Sequence, residues 1–343
     1  MSVLQAGTAT ETPRTSDAGR QNEGADGAVA APRTLDDIVA AVVRRGIPAR
    51  VAVAACAEPN ALAAVLEARD MGMAVPVLVG DIAATESIAT ERGLSLEGCE
   101  VEDEPVPVKA VQRAVDRVRT GGADVLMKGL VNTDVLLRVV LNRVSGLSAG
   151  GLLSHVAVCS LPATCGGEAS ASSRLVCITD AAVNISPNME RKLGIVRNAI
   201  CVARSLGIPS PRVAMLAATE KVMLPAMPAT LDAQIVARMA DQGEFGDVMV
   251  AGPMALDVAI SPDIAARKGV SHPVAGRADI LCAPDIESGN ILYKSLTTLA
   301  HVEMAGILTG TTAPVVVPSR GDSRRSKLLS LALAAYVAME CRL

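Results

Sequence analysis

Residues 313–327 read APVVVPSRGDSRRSK and join three kinds of local structure in one short stretch. The β-branched run from Pro314 to Val317 predicts a short buried strand. The proline, glycine and small polar residues after it predict a turn. The apolar sequence from Leu328 to Met339 then predicts a long helix. This order of strand, turn and helix indicates an α/β protein, because it is the repeating unit of that class.

The polar residues of this turn suit an anion. Ser319 offers a hydroxyl, Arg320 offers a guanidinium, and the start of the helix adds backbone N–H groups. Together these donors predict a site for phosphate. The structural alternative is that Asp322 or Ser323 only caps the last helix and that Arg320 is a solvated charge.

Upstream of this stretch, apolar runs of strand length alternate with helical segments from Thr34 onward. Thr34, followed by Asp37, predicts a capped first helix. Continuous apolar runs are typical of strands that are buried on both faces of a parallel sheet. Such runs lie at 50–56, 74–81, 123–129, 154–162, 174–180, 212–219, 247–252, 277–284 and 302–310. Their order predicts an α/β fold of doubly wound, mainly parallel sheets.

The length of 343 residues exceeds the usual size of one core and predicts two domains. Residues 1–33 lack apolar periodicity and a secretory h-region, so we predict a disordered tail there. Between 145 and 173 the sequence becomes rich in glycine and serine, and we place a domain boundary near Gly150. The prediction is a first α/β domain of residues 34–150 and 305–343 and a second of residues 151–304.

A second junction of strand and helix, LMKGLVNT, carries further polar residues. They are Lys128, Asn132, Thr133 and, farther into the helix, Arg138. Because ligands gather at the carboxyl ends of parallel strands, we expect the two junctions to face one cleft. Lone basic residues are most often exposed surface charges, and this is the alternative for Lys128 and Arg138.

Composition argues against several classes of function. The net charge of −4 offers no basic surface for nucleic acid, and aromatic residues, at 1%, are too few for base stacking. No uninterrupted apolar run reaches the length of a membrane span, so we expect no membrane partner. Eight scattered cysteines indicate no zinc site and fit a reducing, cytoplasmic compartment.

Three familiar motifs are absent from the sequence: the P-loop, a G-x-G-x-x-G after a strand, and the G-x-S-x-G elbow. The three histidines are too far apart in sequence to indicate a metal cluster. We interpret His155 as a hydrogen-bonded structural residue, with a catalytic base as the alternative.

Eight segments, taken together, resemble the phosphate acetyl/butyryltransferase family, and most closely its phosphate butyryltransferase branch. They keep the family order and cover nearly everything from Thr34 to the end. They are ADVLMKGLVNTDVLLR (123–138), LSHVAV (153–158), ITDAAVNISP (178–187), MPATLDA (227–233), GPMALD (252–257), SHPVAGRADI (271–280), IESGNILYKSLT (286–297) and APVVVPSRGDS (313–323).

The resemblance implies reversible acyl transfer, in which acyl-CoA and inorganic phosphate give acyl phosphate and free CoA. It implies an active-site cleft between two α/β domains, CoA as co-substrate, no metal or other cofactor, and a homo-oligomer. Ser319 and Arg320 match the family's active-site pair. The substrate-binding residues that we predict with them are Arg138, which lies close to a second phosphate-site arginine, Lys294, which falls in a family motif, and Lys128, Asn132, Thr133 and Ser323.

The group that accepts the thiol proton stays open. In the acetyl branch it is a carboxylate at the position that aligns with Ser326, so the role does not carry over. Asp322 is the nearest acid and our candidate, with a helix cap as its alternative.

Butyryl is the expected acyl group, and three alternatives remain. The first is a phosphate acetyltransferase. The second is a two-domain, metal- and NAD-dependent dehydrogenase, which needs clustered aspartates such as Asp247, Asp257 and Asp263. The third is a CoA-binding protein without turnover.

Overall fold

Helices and strands alternate along the chain in a computed structural model that describes residues 31–162, 173–319 and 321–340. Within these residues the strands are β1 (Ala49–Ala54), β2 (Ala74–Gly80), β3 (Glu100–Asp103), β4 (Val125–Lys128), β5 (Ser154–Leu161), β6 (Arg174–Thr179), β7 (Arg212–Leu216), β8 (Met249–Met254), β9 (Ile280–Cys282), β10 (Met304–Thr309) and β11 (Val315–Val316).

The helices of the same residues are α1 (Leu35–Arg45), α2 (Pro59–Asp70), α3 (Ile82–Glu91), α4 (Pro107–Arg119), α5 (Thr133–Val140), α6 (Met189–Ser205), α7 (Pro228–Asp241), α8 (Leu256–Ile260), α9 (Pro262–Arg267), α10 (Ile286–Lys294) and α11 (Arg324–Glu340). A five-residue π-helical segment, Ser295–Leu299, extends α10. None of these helices is both long and apolar enough to cross a lipid bilayer.

The strands form one sheet in the order β3-β2-β1-β4-β11-β10-β5-β6-β9-β7-β8. Most neighbours run parallel, and the antiparallel pairs are β10 with β11, β10 with β5, and β5 with β6. Helices pack on both faces, because the apolar side chains of the strands point alternately to either side. The predicted α/β fold with a mainly parallel sheet is confirmed.

Strands from both predicted domains join edge to edge in this sheet. β10 pairs with β11 on one side and with β5 on the other. The division into residues 34–150 with 305–343 and residues 151–304 stays a prediction. Of the predicted tail, residues 1–30 lie outside the described residues, whereas Arg33 Nε donates a hydrogen bond to the Ser173 carbonyl at 3.1 Å. Most of the Gly/Ser-rich loop, residues 163–172, also lies outside them.

The first helix begins as predicted, and two other helix boundaries differ from the prediction. Thr34 and Asp37 form a reciprocal capping box at α1. The Ser186-Pro187 pair in the sequence predicts a helix capped by Ser186, but Asn188 caps α6 because its Oδ1 accepts the backbone N–H of Arg191 at 3.0 Å. The segment ALDVAISPDIAARKG (255–269) predicts one helix from its sequence, but it forms two helices, since Ser261 is extended and Pro262 lacks the N–H that would continue α8.

The long helix α11 is buried on all sides. Twelve consecutive residues, Lys327 to Ala338, are buried, which explains why the helix has no polar face. Ser330 ties it to the sheet, because its hydroxyl accepts the Gly306 N–H of β10 at 2.9 Å and donates to the Ser326 carbonyl at 2.8 Å. The position of α11, and of the turn that precedes it, is therefore fixed by the core.

Gly129 sets the path of the chain where β4 ends. Its N–H donates to the Ala54 carbonyl at 2.9 Å, and the Leu130 N–H donates to the Ala55 carbonyl at 2.7 Å. A Cβ atom at position 129 would lie 2.2 Å from the Ala55 carbonyl oxygen. Backbone cannot yield to such an overlap without a local shift, so this crossing requires glycine.

Gly129→Ala is expected to lower the free energy of unfolding by about 1–3 kcal/mol, because the added methyl group overpacks the crossing. Gly151→Ala is the matched control, since a Cβ there meets no atom within 4 Å, and it should change the value by less than about 0.5 kcal/mol. Urea unfolding followed by circular dichroism measures both. Equal stability of the two variants would contradict the assigned crossing.

Candidate active site

The turn between β11 and α11 is closed by Asp322. The Asp322 carboxylate accepts the Ser319 N–H at 2.7 Å, and the Asp322 N–H donates to the Ser319 carbonyl at 3.1 Å. Helix α11 is capped by Ser323 instead, whose hydroxyl accepts the Ser326 N–H at 3.0 Å. The carboxylate of Asp322 is thus directed to the turn, and the helix-cap alternative applies to Ser323. Arg320 lies outside the described residues.

Lys327 binds the backbone of the same turn. It is not among the site residues predicted from the sequence. Its ammonium donates to the Asp322 carbonyl at 2.7 Å and to the Ser319 carbonyl at 3.3 Å. The residue is only 2% exposed. The signal in the sequence is a lysine directly before the apolar run of α11. A helix that is buried on every side has no solvent face for such a charge.

A pocket of about 160 Å³, here called the His155 pocket, opens beside this turn. Its polar lining combines both junctions predicted from sequence with β5 and α10: Thr133, His155, Asn290, Lys294, Ser319 and Asp322. The remaining wall is apolar and consists of Leu137, Ala181, Ala182, Val183, Leu308 and Val317, with the ring of Tyr293. The pocket therefore places a hydroxyl, a carboxylate and an ammonium next to an apolar surface.

The charges in the His155 pocket oppose one another. The Lys294 ammonium lies 4.0 Å from the Asp322 carboxylate and 5.1 Å from the centre of the Tyr293 ring. Burial, with a smaller contribution from Asp322, raises the pKa of Tyr293 to about 12, so this phenol is neutral at pH 7. The pocket thus contains one ion pair and an uncharged aromatic wall.

His155 lies deeper in the same pocket. Burial lowers the pKa of its imidazole, and the negative charges of Asp180 and Asp322 oppose this effect. Its Nδ1 is buried and has no hydrogen-bond partner among the described residues. The ring packs edge to face with Tyr293 at 6.0 Å between centroids. The hydrogen bond that we expected for a structural histidine is therefore missing at Nδ1.

Asp180 shapes the wall formed by residues 181–183, and we did not predict it as a site residue. Its carboxylate accepts the N–H groups of Ala182 at 2.9 Å and Val183 at 3.0 Å. It also accepts the Asn184 amide at 2.6 Å, which in turn donates to the Leu153 carbonyl at 2.9 Å. The signal was present in ITDAAVNISP, where an acid directly follows a buried strand.

A second pocket of about 130 Å³, the Lys327 pocket, lies on the other side of Ser319. It is formed where β4 and β11 end and where α2 begins, and its lining includes Glu58, Lys128, Pro318, Ser319 and Lys327. Since β1 leads to β2 on one side and lies beside β4 on the other, this is a switch point of the sheet, where α/β proteins bind ligands.

The structure brings most of the predicted residues to these two pockets. Thr133, Lys294, Ser319 and Asp322 line the His155 pocket, and Lys128 lines the Lys327 pocket.

Three predicted residues do not line either pocket: Asn132, Arg138 and Ser323. Asn132 occupies the N-cap position of α5 without a side-chain cap bond. Arg138 is exposed and follows Thr133 by five residues, about 140° around the helix, so that Leu137 takes the pocket-facing position.

The described residues contain no group of three His, Cys, Asp or Glu side chains arranged to hold a metal ion. Two of the three aspartates named for a metal-dependent dehydrogenase form ion pairs elsewhere. Asp247 pairs with Arg204 at 2.9 Å, and Asp257 pairs with Lys268 at 3.0 Å.

Comparison with known proteins identifies the family of this chain. The family model described as phosphate acetyl/butaryl transferase matches residues 102–335. The phosphate butyryltransferase of Clostridium acetobutylicum is 45% identical over 289 residues, which cover 84% of this chain and 93% of the relative. The phosphate acetyltransferase of Rhizobium meliloti is 38% identical over 313 residues, covering 91% of this chain and 96% of the relative.

A solved structure shares the fold. The branched-chain phosphotransacylase from Enterococcus faecalis V583 superposes with a TM-score of 0.73 at 34% identity, covering 84% of this chain and 99% of that protein. The family predicted from eight short segments is thus confirmed by sequence and by structure. The chain belongs to the phosphate acetyl/butaryl transferase family and is an acyltransferase enzyme.

Proposed function

We propose that this enzyme transfers a short-chain acyl group, butyryl in the first place, between CoA and inorganic phosphate, giving acyl phosphate and free CoA. The observation that carries the proposal is the His155 pocket, where Ser319, Asp322 and Lys294 adjoin an apolar wall. CoA is a co-substrate in this reaction and not a bound cofactor. A cytoplasmic homo-oligomer without nucleic-acid or membrane partners belongs to the same proposal.

The reaction is simplest to follow towards acyl-CoA. The CoA thiol gives its proton to Asp322, and the thiolate attacks the carbonyl carbon of the acyl phosphate. The tetrahedral oxyanion accepts a hydrogen bond from the Ser319 hydroxyl, an arrangement that stabilises the transition state. Breaking the bond between the carbonyl carbon and the oxygen that bridges to phosphorus then releases phosphate, which takes the proton from Asp322. Ser319 is suited to this role because its own hydroxyl accepts only a long hydrogen bond, 3.4 Å from the Gly321 nitrogen.

Positive charge is needed wherever the phosphate rests, since it carries about two negative charges near neutral pH. We assign this charge to Arg320 from the family resemblance. Lys294, which lines the His155 pocket, is assigned to the substrate beside the acyl carbonyl. Arg138 stays a proposal from the resemblance alone. It is exposed at the end of α5 and reaches the substrate only from outside the pocket.

The apolar wall favours butyryl over acetyl. A cavity of about 150 Å³ lined by apolar side chains can hold benzene, which has six carbon atoms. The His155 pocket has about 160 Å³, enough for the five non-hydrogen atoms of a butyryl group. An acetyl group would leave apolar surface of Leu137 and Val317 uncovered.

Ser319→Ala is expected to lower kcat by about 100-fold or more, because one oxyanion donor is lost. Arg320→Ala should cause a comparable loss. The measurement is phosphate-dependent release of thiol from butyryl-CoA. Ser87→Ala, at an exposed position of α3, should behave as wild type. Wild-type rates in both the Ser319 and Arg320 variants would show that the site lies elsewhere.

Asp322→Asn tests the proton acceptor and keeps an oxygen that can accept the Ser319 N–H. We expect kcat to fall by about 100-fold, as for loss of a general base. His155→Gln should stay within about threefold of wild type, because we assign the proton to Asp322 and the Nδ1 atom of His155 is buried. If the Asp322 variant kept the wild-type kcat and the His155 variant were inactive, the proton acceptor would be His155 and not Asp322.

Acyl-chain length is tested by kcat/KM for acetyl-, butyryl- and hexanoyl-CoA. Each methylene that contacts apolar protein contributes about 1–3 kcal/mol, so butyryl-CoA should exceed acetyl-CoA by at least about tenfold. Leu137→Ala should shift the preference towards hexanoyl-CoA. Val144→Ala, which is 91% exposed, is the control and should leave the ratios unchanged. A preference of the wild type for acetyl-CoA would favour phosphate acetyltransferase instead.

A further inference from the structure

Lys327 is a buried charge that the mechanism above does not use. Its side chain is among the largest that are fully buried in the described part of the chain. Burying an ammonium is costly unless hydrogen bonds and an opposite charge compensate for the loss of water. A lysine at this position therefore requires a physical reason.

The partners of Lys327 compensate for this cost only in part. An ammonium has three donors. Two of them bond to the carbonyls of Asp322 and Ser319, and no further hydrogen bond or carboxylate within 4.0 Å is found for it in residues 31–162, 173–319 and 321–340. Carbonyl oxygens are dipoles and do not neutralise the charge. The third donor and the charge are left for a group that enters the adjoining pocket.

The Lys327 pocket is suited to an anion of the size of phosphate. A second ammonium, that of Lys128 at the end of β4, lines it as well. The one carboxylate of the lining, Glu58, accepts the N–H groups of Asn60 at 3.2 Å and Ala61 at 2.5 Å and so caps α2. The start of α2 offsets its charge, and the lining as a whole stays positive.

Ser319 is the wall that this pocket shares with the His155 pocket. We propose that the Lys327 pocket holds the phosphate, as inorganic phosphate or as the phosphoryl group of acyl phosphate, with Lys327 and Lys128 as its binding residues. The inference rests on the proposed function and adds to it a division of the substrate, with the acyl chain on one side of Ser319 and the phosphate on the other. Lys327 then both holds the Ser319 turn and binds the anion.

The test varies phosphate at saturating butyryl-CoA in the full-length enzyme. Lys327→Gln and Lys327→Met remove the charge, and each should raise the KM for phosphate by about 10- to 100-fold, the effect of losing a hydrogen bond to a charged group. The KM for butyryl-CoA should stay within about twofold. Lys109→Gln, at an exposed position of α4, is the matched control and should leave both constants unchanged.

A purely structural role for Lys327 would give a different pattern. Displacement of the turn would lower kcat, because Ser319 is part of it, and would leave the KM for phosphate near the wild-type value. Lys128→Met removes a charge from the pocket without disturbing the turn, since both hydrogen bonds from Lys327 to the turn are kept. This variant should also raise the KM for phosphate by about tenfold.

The outcomes separate this inference from the proposed function. A selective rise of the KM for phosphate in the Lys327 and Lys128 variants supports the assignment. A wild-type KM for phosphate in Lys128→Met or in both Lys327 variants overturns it. If the wild-type enzyme releases no thiol from any acyl-CoA in the presence of phosphate, the proposed function itself fails, and the assignment of the phosphate pocket fails with it.

Discussion

The pairing of β11 holds the middle of the sheet together. Val315 aligns with Leu126 of β4 on one side and with Leu308 of β10 on the other. Both valines of the strand are fully buried. Without these residues, the parallel strands β3-β2-β1-β4 would have no neighbour that connects them to the rest of the sheet. A two-residue strand is sufficient here because Val315 packs into the apolar core on one face of the sheet and Val316 into the core on the other.

The active-site turn takes its position directly from this strand. β11 ends two residues before Pro318, and the buried helix α11 begins a few residues after Ser319. Strand and helix are both fixed by the core, so the short segment between them has little freedom. Asp322 and Lys327 then bond to its backbone from either side. The result is an exposed serine that is held between two pockets by contacts to the core.

Much of this arrangement follows from local sequence patterns, and the rest depends on contacts between distant segments. Apolar runs predicted the strands, and Ser319, Lys128 and Thr133, which line the two pockets, were predicted as site residues because they follow strands. It was harder to predict which residue of the short helix α5 faces the pocket. Leu137 and Arg138 are adjacent in the sequence, and only the packing of α5 decides which of them lines the pocket. Lys327 and Asp180 were missed because their roles come from bonds to backbone groups, which leave no periodic signal.

The central position of β11 in the sheet also affects how the chain folds during synthesis. Ten strands precede β11 in the chain, so the ribosome delivers its valines, and Ser319, only after the other strands have emerged. Up to that point β4 and β10 each present an open edge, and neither pocket has its shared wall. A chain that has been synthesised only as far as β10 therefore exposes strand edges that can pair with other nascent chains, so the closing strand also protects the protein from aggregation.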